Sequence, residues 1–161
     1  MISQTGEALI PVEMDKISVI PYITGNDEAQ QYLVFVVQGE KCGIFDPVSR
    51  EISYCGNVTI PVSTASIFPE YNLITVKQDG LFGCINLQGQ VVIPPKSKIS
   101  LDFTCGLSAI LLDDKYGYID PHGETVIPVE WDRAYPAKND LVLVYGSGAY
   151  HLFDISGRQI W

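Results

Sequence analysis

The stretch LSAILLDDKYGYIDPHGETVIP, Leu107–Pro128, holds three short β-rich segments separated by two turn signals. LSAILL is a near-continuous apolar run, the pattern of a strand covered on both faces. Asp113-Asp114 reads as a tight reversal and YGYID as a second strand. In DPHG, Asp at the first position, Pro at the second and Gly at the fourth suit a type I turn. TVIP is the third strand, and because Pro128 cannot donate to a ladder, pairing should stop there.

Working outward, the same pattern recurs. LITVKQDGLFGCINLQGQVVIP begins at Leu73 and LVLVYGSGAYHLFDISGRQIW at Leu141, each 34 residues from Leu107. A fourth copy, LVFVVQGEKCGIFDPVSREI, begins at Leu33, with extra length mainly in SREISYCGNVT. The columns agree in chemistry: Leu33, Leu73, Leu107 and Leu141; then Asp46, Asn86, Asp120 and Asp154; then Gly89, Gly123 and Gly157. NLQG and DISG keep the turn's Asp/Asn and Gly, whereas DPVS loses the Gly. GEALIPVEMDKI from Gly6 matches GETVIPVEWDRA from Gly123, so the chain opens on the tail of a repeat. Self-similarity at a fixed period is the signature of a repeat architecture.

The expected fold is therefore all-β. Tandem three-stranded antiparallel β-meander repeats would form either a β-solenoid or a partly closed, propeller-like array. Residues 1–161 are read as one domain, with a partial repeat at 6–32 and repeats at about 33–72, 73–106, 107–140 and 141–161. No segment keeps a helical period, so a short helical turn near Lys96–Leu101 or Glu130–Ala134 is the most expected.

YGYIDPHGETVIPVEWDRA, with the TCGLSAI and NDLVLV segments, resembles the WG β-repeat of bacterial proteins. The Trp of that repeat is replaced by Cys42, Phe82, Tyr116 and Tyr150, and His151 replaces its glycine in the last copy. The resemblance implies a repeat interaction module and brings no catalytic residue with it.

Composition bounds what such a module can meet. A hydrophobic fraction of 47% and a charged fraction of 18% belong to a globular chain. Nineteen acidic against ten basic residues give a net charge of −9. That balance opposes nucleic-acid binding and is compatible with a basic protein partner. No run of apolar residues is long enough for a membrane helix. MISQTGEALIPVEMD lacks the plan of a signal peptide, so cytoplasmic residence is the expectation.

The residues that might carry chemistry each have a plainer reading. Cys42, Cys55, Cys84 and Cys105 form no CxxC pair, which favours free, largely buried thiols over a metal site. His122 lies in a turn, and a strand would put Asp154 and His151 on opposite faces, so chance placement outweighs catalysis. The Asp/Asn column suits capping of its own turns better than metal ligation. The column Cys42, Phe82, Tyr116 and Tyr150 could stack a ligand but fits a core. The glycine clusters precede no helix, which disfavours a phosphate loop.

The function expected is that of a non-catalytic protein-binding repeat module without cofactor or metal. A narrower form is a small acidic immunity protein neutralising a basic toxin, and the rival class is a hydrolase using His151 or a cysteine. Insertions in repeat proteins map to loops, often on the binding face. The segments that break the rhythm are Thr24–Gln31, with Asp27 and Glu28, and Ser49–Thr59, with Arg50 and Glu51. Those four residues and the hairpin tip Asp113-Asp114 are the expected partner-binding positions.

Overall fold

The computed structural model describes residues 14–22, 31–39, 41–56, 58–59 and 67–161. These form four small antiparallel sheets. The first runs β1 (Lys16–Tyr22), β2 (Gln31–Gln38), β3 (Lys41–Phe45) and β4 (Ile52–Tyr54). The second runs β5 (Ile67–Phe68), β6 (Leu73–Gln78), β7 (Leu81–Ile85) and β8 (Val91–Ser97). The third holds β9 (Ser108–Leu112), β10 (Lys115–Ile119) and β11 (Thr125–Trp131), and the fourth β12 (Arg133–Ala134), β13 (Leu141–Gly146) and β14 (Ala149–Asp154). Strand order follows chain order throughout, as a meander requires.

The repeat is thus richer than three strands. In three of the units the connector also pairs with the first strand: β1 on β2, β5 on β6, β12 on β13. The sole described helical element is a 3-10 turn at Pro69–Tyr71, whereas Glu130–Ala134 holds the end of β11, a bend at Asp132 and β12. Residues 14–17 follow the register their sequence promised. Lys16 pairs with Val37 as Arg133 pairs with Tyr145, and the Asp15 and Asp132 amides donate to those partners' carbonyls at 2.8 Å.

In the three later repeats the first hairpin closes on two residues in the left-handed region: Asp79-Gly80, Asp113-Asp114 and Ser147-Gly148. Positive φ at both positions matches the twist of the flanking strands, and Gly, Asp and Asn tolerate it best. Cys105-Gly106 and Asn139-Asp140 make a tight reversal of the same kind ahead of the meander, just before β9 and β13.

The second turn is held by its first side chain. Asp120 Oδ1 accepts the His122 and Glu124 amides, Asn86 Oδ1 those of Gln88 and Gln90, and Asp154 Oδ1 those of Ser156 and Arg158. Gly89, Gly123 and Gly157 end these turns at φ 82, 86 and 82°. In the first repeat the loop is one residue longer. Arg50, not Ser49, takes the left-handed position at φ 61°, and its amide donates to Asp46 O.

The core lies between sheets. Leu33 and Ile44 pack with Ile74, Val76 and Ile85; Leu73 and Ile93 with Ile110 and Ile119; Leu107 and Ile127 with Val142, Val144 and Phe153. Each unit therefore buries its trailing face on the next unit's leading face, the economy of a repeat stack. Two glycine columns set the approach. A Cβ on Gly117 would meet Ile127 O and Val129 Cγ2 at 2.7 Å, so the bulged strand β11 crosses there. A Cβ on Gly123 would meet Ile93 at 3.2 Å, so each turn leans on the third strand before it.

Candidate partner-binding surface

The turn between β3 and β4 projects beside the turn Leu87-Gln88 of the next repeat, leaving a cleft of about 340 Å³. Buried Phe45 and Ile44 form part of its wall, Tyr32 stands exposed at its side, and Asp46, Ser49 and Glu51 line it from the turn. The turn is self-supporting. Asp46 Oδ1 accepts the Val48 amide at 2.8 Å, and Ser49 Oγ donates to Oδ2 at 3.0 Å. The Val48 amide, seconded by the Ser49 hydroxyl, holds the Asp46 carboxyl below the usual carboxylate range. The Glu51 amide donates to Ser49 Oγ at 3.3 Å and its carbonyl accepts the Asp46 amide. Its side chain stays exposed. The cleft thus offers two carboxylates over an apolar and aromatic wall.

Of the expected positions, Glu51 lines this cleft and Arg50 sits in the same turn outside the lining. Asp27 and Glu28, with all of Thr24–Gln31 except Gln31, lie outside the described residues. Asp113 and Asp114 are exposed at the β9–β10 tip, where Lys98 Nζ pairs with Asp114 Oδ1 at 2.8 Å and lowers its carboxyl. The two acidic groups do not converge. In each meander the tip and the Asp/Asn turn sit at opposite ends of the middle strand, roughly 17 Å apart for five residues. Ile52–Tyr54, inside the second insertion, forms β4 on β3.

Sequence reading missed Tyr32, Leu87 and Gln88, because a wall built from a neighbouring repeat leaves no local signal. A second cleft, of about 160 Å³, lies between the third and fourth units and is lined by Asp102, Ser108, Tyr116 and Tyr118. Two of its polar groups are tied within the fold: Ser108 Oγ accepts the Asp102 amide, and Tyr118 Oη donates to Tyr135 O. Burial pushes the Tyr118 phenol up to about 12.

The histidines are apart. His122 is exposed, and the His151 ring lies 4.8 Å from Trp131, with Nδ1 3.2 Å from Gln159 Nε2. Cys42, Cys55 and Cys84 are buried and Cys105 is exposed. The Cys55 thiol lowers Cys42 by hydrogen bonding, and the same bond raises Cys55, while burial carries Cys84 up to about 12. Among the described residues no three His, Cys, Asp or Glu converge as a metal site would need, and no helix is long and apolar enough to cross a membrane. The column Cys42, Phe82, Tyr116 and Tyr150 passes from buried to exposed along the array rather than forming one stripe.

Residues 82–116 and 116–145 match the family model of the WG containing repeat, so the resemblance read from the sequence holds for these two adjacent repeats. No curated protein matches the chain. A crystal structure of Porphyromonas gingivalis dipeptidyl peptidase 4 is similar over 96% of this chain at 13% identity, with a TM-score of 0.36. The match covers 27% of that protein's chain, and a similarity of this size transfers neither fold nor activity.

Proposed function

We propose that this chain, two of whose repeats are WG containing repeats, is a non-catalytic module that holds a basic segment of a protein partner. The observation that carries the reading is the cleft beside the Asp46–Glu51 turn, where two carboxylates border Tyr32 and Phe45. A Lys or Arg side chain matches both features, pairing with carboxylate and lying over an aromatic face. The chain's charge of −9 would steer a basic partner toward it. Stacking of trailing on leading faces favours an open β-solenoid or a partly closed ring as the arrangement of the units. The partners of His151, an indole and an amide, favour packing over general-base work. Cytoplasmic residence goes with this reading.

The narrower form, inhibition of a basic toxin, rests on the same charge and cleft. Loss of such a toxin's activity on stoichiometric mixing would distinguish it from scaffolding. The reading itself is tested with Lys/Arg-rich peptides in titration calorimetry. Glu51→Lys should weaken binding at least about tenfold, and Asp113→Lys should leave it unchanged. Equal affinity for all three proteins would remove the cleft as the binding surface.

A further inference from the structure

The first repeat departs from the others in two places, and the fold brings both departures together. In the column that holds Phe82, Tyr116 and Tyr150 it carries Cys42, and its inserted segment carries Cys55. In the second and third units the third strand bulges, which sets Ser97 opposite Phe82 and Trp131 opposite Tyr116. In the first unit β4 follows β3 without a bulge, from Ile52 opposite Phe45 to Tyr54 opposite Gly43. The next step of that register sets Cys55 opposite Cys42. The Cys55 amide donates to Cys42 O at 2.8 Å, and the Cys42 amide donates to Gly56 O at 3.4 Å. A hydrogen-bonded antiparallel pair holds its Cα atoms about 5.5 Å apart, inside the span that a disulfide bridges. Opposed residues also point to one face, and both thiols are buried in one cluster with Leu33, Ile44 and Ile74. The other two cysteines stand elsewhere: Cys84 Sγ lies 3.9 Å from Thr75 Oγ1, and Cys105 is exposed.

The geometry points to a reversible Cys42–Cys55 disulfide, a redox staple that locks the inserted segment to β3 and fixes one wall of the cleft. Glu51 and Ser53, which line that cleft, lie within the loop the bond closes. The Cys55 sulfur also rests under the turn that carries Leu87 and Gln88, since a Cβ on Gly89 would stand 3.0 Å from it. A small disulfide of the glutathione class is the oxidant. The Cys42 thiolate attacks one of its sulfurs and expels one small thiolate, leaving a mixed disulfide. The Cys55 thiolate then attacks the Cys42 sulfur and expels the second. One protein S–S bond forms as one small S–S bond breaks; two electrons pass to the small disulfide, and the two protein thiol protons pass to the thiols released. Cys42 makes the first attack because the Cys55 thiol, hydrogen-bonded to it, holds it below the usual thiol range. Access comes at the sheet edge, where β4 has three residues and short edges open locally. In a reducing compartment such bonds are transient and serve as sensors. The staple rests on the cysteine pair alone, so it stands whether or not the cleft holds a basic segment.

Equilibration of the folded chain with mixtures of reduced and oxidised glutathione, followed by acid quenching, thiol labelling and peptide mapping, tests it. A Cys42–Cys55 bond should form as the oxidised fraction rises, leave Cys84 unmodified, and reverse in reduced glutathione. The bond should raise the melting temperature by about 5–10 °C. Cys105→Ser, at an exposed position, removes glutathione capture there and should keep both the bond and the shift. Cys55→Ala should lose both. Cys42 and Cys55 still reduced when Cys105 is fully modified, a bond that recruits Cys84, or a Cys42–Cys55 bond that leaves the melting temperature unraised would each overturn the proposal.

Discussion

Gly117 and Gly123 lie six residues apart and are required for different reasons. Gly123 sits at φ 86°, where an L side chain is strained, and Asn tolerates that region better than most. Gly117 is not in that region; its constraint is space, because Ile127 O and Val129 Cγ2 stand 2.7 Å from where a Cβ would be. Asn therefore separates the two. Gly123→Asn should cost about 1 kcal/mol or less, and Gly117→Asn at least 1–3 kcal/mol through overpacking against backbone. Thermal melts check this at roughly 2–4 °C per kcal/mol for a chain of this size; equal losses would refute the separation. The turn column was legible in the sequence because Asp, Pro and Gly act on their own backbone. The crossing at Gly117 was not, since the atoms that forbid a side chain there belong to another strand. His151 shows the converse. It stands in the Gly117 column yet packs on Trp131 beside Gln159, a contact no local pattern announces.

Turns and strands differ in the same way at the scale of the element. The four second turns follow one local rule, so their existence could be read from Asp46, Asn86, Asp120 and Asp154. The longer loop could not be placed to the residue, and the left-handed position falls at Arg50. Likewise the β5, β12 and β1 connectors become strands through partners in the following hairpin. One turn carries a pH signature. The Ser156 hydroxyl, then the Arg158 amide, holds the Asp154 carboxyl below its usual range in the folded chain. A depressed carboxyl stabilises the fold above its unfolded pKa of about 3.9, and that contribution is lost as pH falls through the folded value. Asn86 shows that an amide can hold the same turn. Asp154→Asn should therefore melt close to wild type at pH 7 and fall less steeply between pH 5 and 2. Parallel melting curves over that range would assign the turn's stability to geometry alone.

Across the whole molecule, what a residue contributes depends on its place in the stack as much as on its column. The sequence aligns Ile93, Ile127 and Trp161 as equivalents, and by pattern alone each should be core. The structure separates them: Ile127 packs with Val142, Val144 and Phe153 of the following unit, and Trp161 faces outward. Periodicity reports which face of a strand is apolar, whereas coverage depends on whether a further unit lies against it. Ile127→Ala, which opens a cavity at a junction between two units, should cost about 2–5 kcal/mol. Trp161→Ala, despite removing the larger side chain, should stay within about 0.5 kcal/mol in dilute monomer, as surface substitutions do. Denaturant unfolding at low protein concentration makes the comparison. If both substitutions cost several kcal/mol in dilute solution, the fourth unit's outer face is covered within one chain, and the stack closes on itself instead of ending at an open face.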